Sequence, residues 1–227
     1  MDALLGGPSW SEIAAWLPDF WAGFVLSVEL TVFSLLIGLP LGLAFALGVK
    51  APSSALRIPA FLLVELGRGA PALVLLQFMY FGLPSAGMPL SAFAAATVAL
   101  SWSTGAYSSE IIRAGLDSVA AGQREACLAL GLNRRDAYRF VLLPQGLRVA
   151  TPALMGLAIL LFQGTSLCFA ISLPEMISRA YAIGASTFHY FTALAIVGLF
   201  FAAVCIPAAF LVSWVERRAG TGSRNRG

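Results

Sequence analysis

Five long apolar runs divide the chain: Phe20 to Val49, Ile58 to Leu83, Leu90 to Ile112, Ala150 to Leu173 and Phe188 to Val215. A bilayer-crossing helix takes roughly 20 apolar residues, so each run is long enough to span. The second run ends in Phe81-Gly82-Leu83-Pro84, and residues 84–89 read as a tight loop. A loop holding Glu175 and Arg179 separates the fourth run from the fifth. One polar stretch is long, Arg113 to Arg148, between the third and fourth runs. The pattern predicts an all-α polytopic membrane protein with five transmembrane helices. A single membrane domain is expected over 20–215, with a short segment, 1–19, before it and a tail, 216–227, after it.

Composition agrees with the pattern. Of the 227 residues 59% are hydrophobic and 11% charged, whereas a soluble domain carries about 25% charged residues. A solvated surface cannot be built from so few charges, and disorder is excluded by the apolar content. The basic residues set the orientation. Lys50 and Arg57 fall after the first run, and Arg113, Arg124, Arg134, Arg135, Arg139 and Arg148 fall in the long polar stretch. Arg217, Arg218, Arg224 and Arg226 fall in the tail, which makes twelve of the fourteen Lys and Arg on one side. That excess marks the cytoplasmic face, so the N-terminus is expected outside and the C-terminus inside. Asp2, Glu12 and Asp19 precede the first run without any Lys or Arg, which fits the outer side and argues against a signal peptide. Three cysteines and the lone His189 support neither a disulfide framework nor a multi-histidine metal centre.

The polar stretch, about 113–148, carries the most local information. Glu125 to Leu130 reads as a short helix that Gly131 ends with a left-handed cap. Asn133 is a good N-cap for a second helix, with Asp136 three residues on, a variant of the capping box. That helix is expected to run to about Leu143, with Pro144 marking a break or bend. Two readings are open on pattern alone. The helices rest on the membrane with arginines toward lipid phosphates, or they form a rigid knob for a cytoplasmic partner.

Residues in this stretch resemble a known signature. Glu125-Ala126-Cys127, Gly131, Val141 and Leu143-Pro144 are similar, at matching spacing, to the E-A-A motif of permease subunits of bacterial ATP-binding-cassette importers. Cys127 stands where Ala is usual and Val141 where Ile is usual. Glu65-Leu66-Gly67-Arg68-Gly69-Ala70-Pro71 and Tyr80-Phe81-Gly82-Leu83-Pro84 look like stretches of the polar amino-acid uptake branch. So do Ala106 to Gly115, Gly122 to Glu125, Pro144 to Arg148 and Thr165-Ser166-Leu167. The resemblance implies an inner-membrane subunit that works with a second permease subunit, two cytoplasmic ATPase subunits and a periplasmic binding protein. It also implies that Glu125, Ala126, Gly131, Arg134, Arg135, Asp136, Arg139, Leu143 and Pro144 form an ATPase docking loop. Where this branch usually has Lys-Asp before Thr-Ser-Leu, the chain has Gln163-Gly164. That departure implies a different ligand, or a partner subunit that holds the ligand.

Glu65 and Arg68 sit three apart within a span, where ionisable groups are costly. They form either a structural ion pair or a wall of the translocation path. Gln163, Thr165 and Ser166 lie mid-span and either glue helices or line that path. The five residues Glu65, Arg68, Gln163, Thr165 and Ser166 are therefore the candidate substrate path. Glu110 and Arg113 repeat the spacing near a span end and read as an interfacial pair. Gly38 and Gly42 form a small-residue face suited to close helix packing. No G-x-x-x-x-G-K-[ST] occurs in the chain, so no cofactor is expected on it, and ATP and Mg belong to the ATPase partners. The competing expectations are a stand-alone secondary carrier or channel, and a membrane-embedded enzyme. No catalytic constellation supports the latter.

Overall fold

The structure is a computed structural model and describes residues 7–220. Asp2, Arg224 and Arg226, counted above, lie outside the described residues. All regular elements among the described residues are helical: α1 (Trp10–Val49), α2 (Ser54–Gly69), α3 (Ala72–Gln77), α4 (Leu83–Ser85), α5 (Ala92–Asp117), α6 (Ala121–Ala129), α7 (Arg134–Asp136), α8 (Leu143–Gly164), α9 (Met176–Thr187) and α10 (Tyr190–Gly220). A π-helical turn, Phe78–Gly82, joins α3 to α4 and another, Ala137–Leu142, joins α7 to α8, while a 3-10 stretch, Thr165–Ile171, extends α8.

Among the described residues three helical stretches are long and apolar enough to cross a membrane: Trp10–Val49, Arg134–Ile171 and Tyr190–Arg218. The first has 40 residues, roughly 60 Å at 1.5 Å per residue, which is longer than the apolar layer is thick. The second apolar run is not one straight span. Ser54–Gly69 and Ala72–Ser85 meet at a bend of 106°. Pro71 causes it: its extended ψ of 135° precedes α3, and proline drives the residue before it out of helical geometry.

Pro144, where the sequence predicts a break or bend, does not interrupt the helical course. It lacks the N–H that would bond one α-turn back, and the π-helical segment Ala137–Leu142 changes the register just before it. The helical course therefore runs on from Arg134 to Ile171. The loop expected around Glu175 and Arg179 is largely the helix α9. Glu175 is its N-cap, accepting from Ile177 N and Ser178 N at 2.9 Å each.

The chain gathers into two compact units. One comprises residues up to Leu36, Ala70–Ser101 and Ile159–Ala208, and the other Ile37–Gly69, Trp102–Ala158 and the residues from Ala209 on. Helices α1, α5, α8 and α10 each contribute to both. The first unit has an aromatic core: Trp16, Phe20 and Phe162 are buried with Met176, Ile183 and Val197, and Phe24, Phe200 and Phe201 pack against them. Ring centroids of Phe24 and Phe162 lie 6.2 Å apart edge-on, and those of Phe162 and Phe201 5.2 Å apart. Lipid tails are as apolar as these side chains, so cohesion here comes from van der Waals packing.

The second unit is held by small residues. A Cβ on Gly42 would fall 1.9 Å from Ser108 Oγ, one on Gly105 3.0 Å from a Leu41 methyl, and one on Gly115 2.4 Å from Gly146 O. Thus α1 and α8 both approach α5 at backbone distance, as the Gly38 and Gly42 pattern predicted for α1. Several hydroxyls in the apolar helices are satisfied locally, whereas Ser34 Oγ and Ser101 Oγ are buried without a partner among the described residues. Thr31 donates to Ser27 O, Ser108 to Gly105 O and Thr151 to Leu147 O, at 2.8–3.2 Å, which removes the penalty of an unpaired donor in an apolar setting.

Candidate functional site

Three candidate regions emerge, each within one unit. In the second unit α2 is clamped to α5. Trp102 Nε1 donates to Leu63 O at 3.0 Å and Tyr107 Oη to Arg68 O at 3.2 Å. Gly67 permits this contact, because a Cβ there would lie 2.7 Å from that of Ala106. The clamp brings four charges into a ladder. Arg68 Nη1 lies 3.6 Å from Glu65 Oε1 and 3.3 Å from Glu110 Oε1, and Arg113 Nη2 binds the other Glu110 oxygen. The Glu65–Arg68 pair expected from spacing is present, yet Arg68 is closer to Glu110, which local spacing does not pair with it. The ladder is formally neutral and half-exposed, so it presents alternating charge without a buried unpaired ion.

Gln163, Thr165 and Ser166 belong to the first unit. Gln163 is exposed. Thr165 is fully buried and donates to Phe162 O at 2.7 Å. Ser166 is half-buried and donates to Gln163 O at 2.7 Å. Of the three, Gln163 has a free amide and Ser166 keeps acceptor capacity, while Thr165 packs behind them.

The caps of the loop between α5 and α8 are those its sequence predicts. Gly131 has φ +69°. Leu132 N bonds Cys127 O and Gly131 N bonds Leu128 O, both at 3.0 Å, which is the Schellman arrangement. Asn133 Oδ1 accepts from Asp136 N at 2.9 Å and its Nδ2 donates to Asp136 Oδ2 at 2.7 Å. The reciprocal bond runs between side chains and not to the N-cap backbone as in the usual capping box. Arg124 Nη2 ties α6 to Leu116 O at 2.9 Å. Lys50 bonds Asp117, and this bond holds the Asp117 carboxyl below its usual range. Leu142, Leu116 and Ile112 share a buried cluster beneath the loop.

The outward face is available for contact. Glu125, Ala126, Gly131, Arg134, Arg135, Arg139 and Pro144 are exposed, and Asp136 and Leu143 are half-buried. Leu128, Leu130 and Phe140 are 77%, 78% and 66% exposed. Sequence reasoning gave no role to Leu128 or Leu130. The signal was present, since a capped helix in a polar loop that keeps leucines outward has an apolar surface to cover.

Comparison with known proteins assigns this architecture. Residues 38–221 match the family described as "Binding-protein-dependent transport system inner membrane component". The chain is 34% identical over 203 residues to the "Arginine transport system permease protein ArtQ" of Bacillus subtilis (strain 168), covering 89% of this chain and 93% of that one. It is 34% identical over 196 residues to the "Probable amino-acid ABC transporter permease protein YckA" of the same organism, covering 86% and 87%. The "Glutamine transport system permease protein GlnP" of Escherichia coli (strain K12) is 32% identical over 211 residues, covering 92% and 96%. Among solved structures, "Crystal structure of an amino acid ABC transporter with histidines" superposes with a TM-score of 0.87 at 30% identity, covering 94% of this chain and all of that one. The methionine ABC transporter MetNI, at 20% identity and a TM-score of 0.66, shares the fold. The protein belongs to the binding-protein-dependent transport system inner-membrane component family and is a multi-pass, inner-membrane permease subunit of an ATP-driven importer, in which hydrolysis is carried out by separate ATPase subunits.

Proposed function

We propose that this permease imports a polar amino acid or a related solute delivered by a periplasmic binding protein. The observation that carries the reading is the likeness to an amino-acid ABC transporter across 94% of the chain. In this reading the chain crosses the membrane five times, N-terminus outside and C-terminus inside, with the bent α2–α3 pair and α5 supplying two crossings. It pairs with a second permease subunit and with two ATPase subunits that bind ATP and Mg.

Glu65, Arg68, Gln163, Thr165 and Ser166 form this chain's share of the path. A zwitterion needs partners for both charges, because an unpaired charge in a dry site is expensive. The charge ladder offers both signs, and Glu110 leaves Arg68 a counter-charge when Glu65 turns toward a ligand. Gln163 and Ser166 read a polar side chain without fixed charge, with Thr165 supporting them from behind.

Glu125, Ala126, Gly131, Arg134, Arg135, Asp136, Arg139, Leu143 and Pro144 form the ATPase docking loop. Caps at both sides of Gly131 make the two short helices a rigid unit, and Leu128, Leu130 and Phe140 give it apolar contact area. A partner with different affinity for two conformations then drives alternating access.

The test is uptake of labelled amino acids into proteoliposomes holding the whole importer and its binding protein. Binding-protein-dependent uptake of a polar amino acid is expected, with Gln163→Ala changing selectivity while basal hydrolysis stays. Uptake restricted to solutes without an amino-acid group would overturn the substrate reading. Normal transport with Gln163, Thr165 and Ser166 all changed to Ala would move the ligand to the partner subunit.

A further inference from the structure

At the C-terminal end of α1 a cavity of about 430 Å³ is lined by Leu47, Lys50, Ala51, Pro52, Arg134, Arg135 and Tyr138. Three cations thus share one small space. Arg134 is held in place: its Nη2 donates to Lys50 O at 3.3 Å and its guanidinium carbon stands 5.8 Å from the Tyr138 ring centroid. Lys50 pairs with Asp117, a carboxylate that also has Arg124 at 3.7 Å. Arg135 has no acidic partner among the described residues, and the neighbouring Asp136 carboxylate is engaged by Asn133. The lining carries more positive than negative charge, and like charges at close quarters are costly without an anion among them.

Position identifies the anion. Leu47 belongs to the last turn of the 40-residue apolar helix α1, which ends at Val49. Leu47 is 37% exposed, so an apolar surface continues directly into the cationic one. This step from apolar to cationic is the level at which lipid phosphates lie, and basic pockets there bind anionic headgroups. An acidic protein partner would need the charges but not the apolar wall. We propose that this cavity binds the phosphate of an anionic glycerophospholipid, with Arg134 and Arg135 on the phosphate oxygens and Leu47 and Pro52 against the glycerol and acyl chain. Guanidinium groups suit this role because their planar forks match phosphate oxygens. The cavity shares Arg134 and Arg135 with the docking loop, while Glu125 and Arg139 do not line it. The lipid ties the end of α1 to the start of α7 and so steadies the base of the loop.

The test uses the purified whole importer in nanodiscs of equimolar phosphatidylglycerol and phosphatidylcholine, washed with detergent, with retained lipid counted by mass spectrometry. Preferential retention of phosphatidylglycerol is expected. Arg135→Gln should lower it about five-fold, the ratio matching the roughly 1 kcal/mol of one basic residue at an anionic surface. Arg135→Lys, which keeps the charge but loses the planar fork, should lower it less than Arg135→Gln does. Arg57→Gln, which removes an exposed charge outside the cavity, should leave it unchanged. Retention that is equal for both lipids, unaltered by Arg135→Gln, or abolished by inorganic phosphate would overturn the proposal. Loss of the ATPase subunits in Arg135→Gln with lipid retention intact would assign the cation to the protein partner instead.

Discussion

The two compact units are held together by different means. The first relies on rings: Phe20, Phe24, Phe162, Phe200 and Phe201 fill its core, and Asp19–Arg179 is the one ion pair among its described residues. The second relies on close backbone approach and on charge: Gly42, Gly67, Gly105 and Gly115 allow the contacts, and Lys50, Arg68, Glu110, Arg113 and Asp117 are ion-paired. Aromatic packing tolerates small shape changes, because many weak contacts share the load. Glycine contacts and capped turns depend on single atoms. Substitutions in the second unit should therefore have sharp effects, and substitutions in the first graded ones.

The largest expected effect is Gly115→Ala. Its new methyl would meet the Gly146 carbonyl oxygen at 2.4 Å, which no side-chain rotation relieves. Overpacking of this kind costs about 1–3 kcal/mol or more, so the yield and the thermal midpoint of the complex should both fall. Phe24→Leu in the first unit should cost no more than about 1.5 kcal/mol. Equal losses for the two would erase the contrast between the units.

The next test asks whether the first unit has one sharp point of its own. Glu175 is fully buried, and burial pushes its carboxyl up from 4.5 to about 7, against the backbone donors Ile177 and Ser178 that favour the ionised form. A group raised in the folded state adds stability that is complete below its unfolded value and is lost as pH rises through its folded value. Wild-type thermal midpoints should therefore decline as pH rises from about 4.5 to about 7. Glu175→Gln should remove that part of the decline, and an identical slope in the variant would show that Glu175 does not titrate there.

The smallest expected effect is Asn133→Ala. It removes the bond from Asp136 N, and loss of such a cap costs about 1 kcal/mol. Local amide exchange at Arg135 and Asp136 should rise while the global midpoint moves little. Unchanged exchange would mean that the π-helical turn alone fixes the start of this stretch.

Much of this was legible in the sequence because its causes are local. Gly131 and Asn133 announce their caps by residue type and spacing. Gly38 and Gly42 announce close packing by their period. Three of the apolar runs fall on helices long and apolar enough to cross a membrane, although the helices at Trp10 and Arg134 begin well before the runs at Phe20 and Ala150. What was hidden depends on register or on distant contacts. The bend at Pro71 lies inside a run that hydropathy reads as continuous. Pro144 looks like a helix breaker until the preceding π-helical turn shifts the hydrogen-bond register. The Arg68–Glu110 pair joins two helices, and nothing in the spacing within either one reveals it. Within the candidate path, the sequence marked Thr165 as polar and mid-span but held no sign that its hydroxyl is buried and committed to Phe162 O.

The proposed coupling of the capped loop to the ATPase partners is tested by hydrolysis stimulated by loaded binding protein in proteoliposomes, compared between wild type and Gly131→Val. A β-branched residue at φ +69° costs roughly 1–2 kcal/mol and loosens the turn while leaving the membrane helices in place. Normal insertion of the variant is expected, with stimulated hydrolysis and ATPase co-purification both sharply reduced. Full stimulation with the ATPase still bound would contradict the coupling.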